Sequence, residues 1–340
     1  MATVDVDVLI VGAGPVGLFG AYYAGVRGLR TAVIDSLSQV GGQVTAMYPE
    51  KQIFDIAGFP AVSGRTLIGN LVEQAAAYHP VYLLGQEAQR LERVSPGEGR
   101  ADLLVVQTSS GTQITTRTIV ITGGIGTFTP RPLPAGEHFL GRGLEYFVPS
   151  STEYADKDVV VVGGGDSAVD WALMLHPIAR SVTVVHRRAA FRAHPGSLEQ
   201  LRASPVEIIV NAQVATTTGD GELESVEVTT PGADPRRLPC QKLVAALGFT
   251  ANLGPLREWG LTLHDNRHLV VDSAMRTNLD GIYAAGDITE YDGKIRLIAV
   301  GFGEVATAVN NAAVHIDPST QLFPGHSTDN PTSVPQPVTA

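Results

Sequence analysis

Two stretches of this chain follow one pattern, and that repetition dictates most of what it can fold into. Residues 6–11 form a short apolar run that ends in Gly12-Ala13-Gly14-Pro15-Val16-Gly17, continues through a small-residue stretch over 18–28, and returns to an apolar run over 31–34 closed by Asp35. Residues 158–162 lead in the same way into Gly163-Gly164-Gly165-Asp166-Ser167-Ala168, a helical stretch over 169–175 and a run over 182–185 closed by His186. Asp35 lies 23 residues beyond Gly12, and His186 lies 23 residues beyond Gly163. Strand, glycine turn, helix and parallel strand in about thirty residues make a βαβ unit whose turn lets backbone approach a pyrophosphate at the helix N-terminus. A lone GxGxxG is a weak signal, but here the flanking elements and the terminal residue fall in order twice. The expected fold is α/β, with two three-layer, Rossmann-like dinucleotide-binding domains.

The units differ where a ribose would be read. Asp35 offers a carboxylate that accepts from ribose hydroxyls and repels a phosphate, so Gly12, Gly14, Gly17 and Asp35 predict a dinucleotide without a 2'-phosphate. The second unit has His186 followed by Arg187 and Arg188, with Arg192 close behind. Guanidinium forks suit a 2'-phosphate, so Gly163, Gly165, Asp166, Ser167, Ala168, His186, Arg187, Arg188 and Arg192 predict an NADP site. The alternative is a basic strand end that forms surface salt bridges.

The rest of the chain fits a second domain inserted in the first. Residues 81–84, 102–107 and 112–116 read as an antiparallel meander, and 118–124 as a buried strand ending in glycines. A comparable meander over 206–210 and 225–228 precedes a second glycine-ended strand, 243–248. The expected domains are 1–125 with 254–340, and 126–253. Gly286-Asp287 closes a short strand, where glycine permits close approach and Asp287 can hydrogen-bond a ribityl hydroxyl. A helix expected from about residue 301 to 313 would offer free N–H groups and a positive dipole end that stabilise negative charge, as on a reduced cofactor ring. Trp171 and Met174, at helical spacing, read as core.

Composition excludes several classes. With 34 acidic and 24 basic residues the net charge is -10, which argues against a nucleic-acid or anionic-membrane binder. No apolar run approaches a membrane span and no signal peptide opens the chain, so a cytoplasmic location is expected. The one cysteine, Cys240, permits neither an internal disulfide nor a CxxC pair nor a thiolate metal cage, so no metal is expected.

Together with Gly41-Gly42-Gln43, Met47-Tyr48-Pro49-Glu50-Lys51, Phe191-Arg192-Ala193-His194, Ala285-Gly286-Asp287 and Gly301-Phe302-Gly303-Glu304, these motifs resemble those of the thioredoxin reductase superfamily of flavoproteins, specifically its ferredoxin–NADP reductase branch. The resemblance covers nearly the whole chain. It implies FAD in the first domain, NADP(H) in the second, hydride exchange between nicotinamide and flavin, and one-electron exchange with ferredoxin or flavodoxin, in a homodimer. Thioredoxin reductases carry a CxxC just ahead of the second fingerprint, where this chain has Gly143-Leu144-Glu145-Tyr146-Phe147-Val148-Pro149 and no cysteine. Alternatives are a reductase of a quinone or other small acceptor, and a non-enzymatic FAD/NADP redox sensor.

The resemblance also assigns individual residues. Gln43 would bond the flavin side of FAD, Tyr48 would stack on its ring, Ala88 would touch the adenine end through backbone, and Phe128 would sit where the domains join. Asp287 would hold the ribityl-pyrophosphate region, with His326 over the other flavin face and Thr328 nearby. No residue is required as an acid or base. Several roles have a plainer competitor: Tyr48 as a half-buried tyrosine, Gln43 as a turn residue, His326 as an exposed one, and His194 as a helix-end residue instead of a phosphate ligand, the helix-end reading being favoured there. Asp35 is one methylene shorter than the glutamate the resemblance implies. The charge of -10 requires a local basic face for an acidic ferredoxin, for which Lys51, Arg65, Lys294 and Arg296 are candidates.

Overall fold

The computed structural model describes residues 2–95, 97 and 102–326. The described residues divide into two compact units, drawn from Met1–Ala46, Lys51–Thr127 and Ala251–Ala340, and from Met47–Glu50 and Phe128–Thr250.

In the first unit five parallel strands lie in the order Ile282–Ala284, Thr118–Ile121, Val8–Val11, Thr31–Asp35, Val81–Leu84. Leu9, Ile10, Val33, Ile119 and Val120 are fully buried, because strands covered on both faces need apolar side chains on both. The helix Pro15–Val26 packs against Gly64–Ala76, Ile298–Ile316 and the sheet. The chain runs from Val8–Val11 through Thr31–Asp35 to Val81–Leu84 at one edge and then returns to Thr118–Ile121 on the other side, so the crevice at the C-terminal end of Val8–Val11 is the topological switch point where α/β sheets bind ligands. Gly12 stands there. A second sheet has the order Thr3–Asp5, Gln113–Thr116, Leu103–Thr108, Ala88–Val94.

The second unit repeats the plan. Its parallel sheet has the order Leu144–Glu145, Lys242–Ala245, Asp158–Val162, Ser181–His186, Glu207–Val210, and an antiparallel sheet joins Gln213–Thr218, Ser225–Thr229 and Arg236–Pro239. Trp171 is buried and Met174 half-buried in its core, as expected of them.

Three expectations are corrected. Residues 81–84 belong to the parallel sheet, and the third meander strand is Ala88–Val94, whose mostly polar, exposed side chains give no alternating apolar signal. Glu207–Val210 likewise joins the parallel sheet, and threonine-rich Gln213–Thr218 takes its place in the meander. The last helix begins at Ile298, so Gly301 N–H donates to Leu297 O and the N–H groups left free lie ahead of Gly301. Among the described residues no helix is long and apolar enough to cross a membrane, and no cluster of three or more His, Cys, Asp or Glu could hold a metal ion.

Candidate functional site: two glycine turns

The first turn is built by backbone packed on backbone. Gly12, at φ +118°, donates to Ile34 O at 2.8 Å, and a Cβ there would stand 2.5 Å from Thr122 O. Gly17 allows the following helix to close on the turn, since a Cβ on it would lie 1.9 Å from Gly12 O. Gly14, the residue preceding that helix, differs: a Cβ on it would meet nothing within 4 Å. The middle glycine therefore faces open space while its neighbours are packed shut, which is the form a pyrophosphate cradle requires. No side chain caps the helix, whose first N–H groups remain available.

Asp35 closes the neighbouring strand. Its carboxylate accepts from Ala13 N at 2.7 Å and from Leu37 N at 2.9 Å, tying the turn to the strand end. Burial pushes its pKa above the usual carboxylate range against the opposing effect of those two N–H donors. Gln43, in the helix Gly42–Met47, faces Gly124, where a Cβ would stand 2.7 Å from Nε2. Asp287 follows Gly286, and burial raises its pKa while Lys294 and Arg296 oppose the rise.

A network unforeseen from the sequence holds Gly286. Glu304 accepts from Gly286 N at 2.7 Å and from Tyr291 OH at 2.6 Å, and also pairs with Lys294, which donates to Gly286 O at 3.0 Å. The available signal was that Glu304 is the only Asp, Glu, Lys or Arg in the apolar helix Ile298–Ile316.

The second turn repeats the contrast. A Cβ on Gly163 would stand 2.4 Å from Ala246 O, whereas one on Gly165 would meet nothing within 4 Å. The helix Asp166–Leu175 follows, with Ser167 in its first turn and Ala168 buried against Gly163. Two bonds fasten the arginine-bearing loop to the turn: Arg192 N to Gly164 O at 2.7 Å, and His194 N to Asp166 Oδ1 at 2.7 Å. His194 also accepts from Gly196 N and caps the helix Pro195–Ala203, in line with the helix-end reading. His186 is buried, its ring under Gly164, 4.9 Å from the Phe191 ring and bonded to Ala190 O. Burial pushes its pKa down, and Arg188, Arg187 and Arg192 add to the shift against the Ala190 bond. Arg187, Arg188 and Arg192 are exposed and have no carboxylate partner among the described residues, unlike Arg30, Arg180, Arg236 and Arg296.

Other expected residues are more scattered. Tyr48 is half-buried, falls with Met47–Glu50 in the second unit and packs against that unit's core. Ala88 is buried at the start of Ala88–Val94, and Phe128 falls in Thr127–Pro130, where the chain leaves the first unit. The His326 ring lies 5.1 Å from that of Phe323, and Thr328 lies outside the described residues. Of the proposed basic face, Lys51 and Arg65 are exposed, but the Lys294 side chain is only 2% exposed and Arg296 pairs with Glu290. Lys294 therefore serves the interior.

A family model described as pyridine nucleotide-disulphide oxidoreductase matches residues 6–312. A ferredoxin–NADP reductase of Nocardioides sp. is 60% identical over 96% of this chain and 98% of its own length. One from Salinispora arenicola is 59% identical over 96% of this chain and 99% of its own. Among solved structures, a T. acidophilum thioredoxin reductase is similar at a TM-score of 0.73 and 25% identity, over 93% of this chain and 99% of that one.

Proposed function

We propose that this chain, which belongs to the pyridine nucleotide-disulphide oxidoreductase family, is a ferredoxin–NADP reductase that binds FAD in the first unit and NADP(H) in the second. The 60% identity to a ferredoxin–NADP reductase over nearly the full length of both chains carries the reading. The sulfur inventory agrees with it. Cys240 is the one cysteine, it is buried, and burial pushes its thiol up to about 12. A dithiol relay needs two accessible sulfurs, so this chain would supply no sulfur relay between a bound flavin and its acceptor.

Both turns suit a dinucleotide: Gly14 lies open between the packed Gly12 and Gly17, and Gly165 lies open after the packed Gly163 and Gly164. Gly12, Gly14 and Gly17 would cradle FAD with Asp35 at the ribose. Gln43, Tyr48, Ala88, Phe128, Asp287 and Thr328 would hold the rest, and His326 would cover a flavin face. Gly163, Gly165, Asp166, Ser167 and Ala168 would cradle NADP(H). Arg187, Arg188 and Arg192 would grip its 2'-phosphate, and His186 would support the turn from beneath Gly164. When bound, FAD converts two-electron exchange with NADP(H) into one-electron exchange with ferredoxin. The chain's own contribution is to orient the two dinucleotides and exclude water. The domain assignment, 1–125 with 254–340 for FAD and 126–253 for NADP(H), the homodimer and the cytoplasmic setting belong to the same proposal.

Steady-state NADPH oxidation with a panel of acceptors tests it. Rapid turnover with ferredoxin or flavodoxin, and slow turnover with quinones and free flavin, is the expected result. The reverse order would make the chain a small-acceptor reductase, and cofactor binding without turnover on any acceptor would make it a sensor.

A further inference from the structure

Lys294 and Glu304 have side chains only 2% and 5% exposed. Burying two charges is costly, and an apolar pair of similar volume is often as stable or more so, so stability alone is a poor reason to keep them. Their partners suggest another. Glu304 accepts from the N–H of Gly286, and Lys294 donates to the C=O of the same residue at 3.0 Å. Tyr291 adds its hydroxyl to Glu304, with the Lys294 ammonium 5.4 Å from its ring centroid, and Thr289 donates to Gly286 O from both N and Oγ1.

Gly286 also sits where elements crowd. It has φ +82°, and a Cβ on it would stand 3.3 Å from Val16, one residue inside the helix that begins at the first glycine turn. A Cβ on Gly301 would stand 2.5 Å from the same Val16 and 3.4 Å from Gly286 Cα. No apolar pair could satisfy the Gly286 N–H at this junction.

We propose that Lys294 and Glu304 are positioning residues for FAD: the buried pair holds both polar groups of Gly286 and thereby sets the turn that presents Asp287 to the cofactor. This rests on the FAD reading of the first unit. The test compares the wild-type full chain with Lys294→Met and with Lys294→Met/Glu304→Leu. FAD affinity is read from free-flavin fluorescence after dilution of the loaded protein, and NADP+ affinity by calorimetry on the same samples. In the double variant, which removes both members of the buried pair, FAD affinity is expected to fall about tenfold or more. Its NADP+ affinity should stay within about twofold, because the substitutions share no partners with the second turn. A double variant that binds FAD as tightly as wild type would overturn the inference even if Lys294→Met alone fails to fold. Equal losses for both ligands would overturn it too, by showing general destabilisation. A wild-type chain that binds no FAD would instead bring down the underlying reading, and this inference with it.

Discussion

Replacing Arg187 and Arg188 together by alanine is expected to raise KM for NADPH about a hundredfold or more while leaving KM for NADH within a few-fold. Hydrogen bonds to charged groups contribute about 1.5–3 kcal/mol each, and a hundredfold change is about 2.7 kcal/mol. Two lost guanidinium groups can supply that even with Arg192 left in place. The geometry favours a large effect. The three side chains are exposed and have no carboxylate partner among the described residues, and backbone bonds from Arg192 and His194 pin their loop to Gly164 and Asp166. Because Arg187 and Arg188 form no salt bridge among the described residues, their removal should alter the unfolding midpoint little. Equal changes in KM for NADPH and NADH would mean that the arginines do not read the 2'-phosphate.

Gly14→Ala should separate binding from stability. Gly14 has φ -69°, open to any residue, and a Cβ there meets nothing within 4 Å. The folded state should lose no more than about 1 kcal/mol from the weaker helix cap. FAD affinity, by contrast, is expected to fall about a hundredfold, because the methyl group would occupy the space the pyrophosphate enters. Gly17→Ala inverts the pattern. Its methyl would stand 1.9 Å from Gly12 O and 2.7 Å from Thr122 Oγ1, and forcing backbone apart should cost about 3 kcal/mol or more. Urea unfolding and FAD titration on the two variants check both halves. Wild-type FAD affinity in Gly14→Ala would show that the open face is not the cofactor's side.

Both glycine turns and their parallel strands were legible in the sequence because each combines a continuous apolar run with a turn only small residues can make. Val8–Val11 and Asp158–Val162 are such runs. The meander strands Ala88–Val94 and Gln213–Thr218 were not, since their side chains are largely polar and exposed and only pairing across the sheet defines them. Lys294 misled for a related reason. A lysine near a cofactor loop reads as surface charge until its partner is known, and Glu304 lies ten residues away on another element. His186 belongs to the same class: its position at the strand end was readable, but only packing shows its ring beneath Gly164. Sequence pattern reports which residues share a strand or helix, and much less about which polar side chains turn inward to satisfy one another.

Anaerobic mixing of the flavin-loaded chain with NADPH, followed by oxidised ferredoxin, tests the central claim most directly. NADPH should bleach the flavin band near about 450 nm, and ferredoxin should restore it while its own iron–sulfur absorbance falls. Bleaching that ferredoxin cannot reverse, but a quinone or free flavin can, would contradict the account.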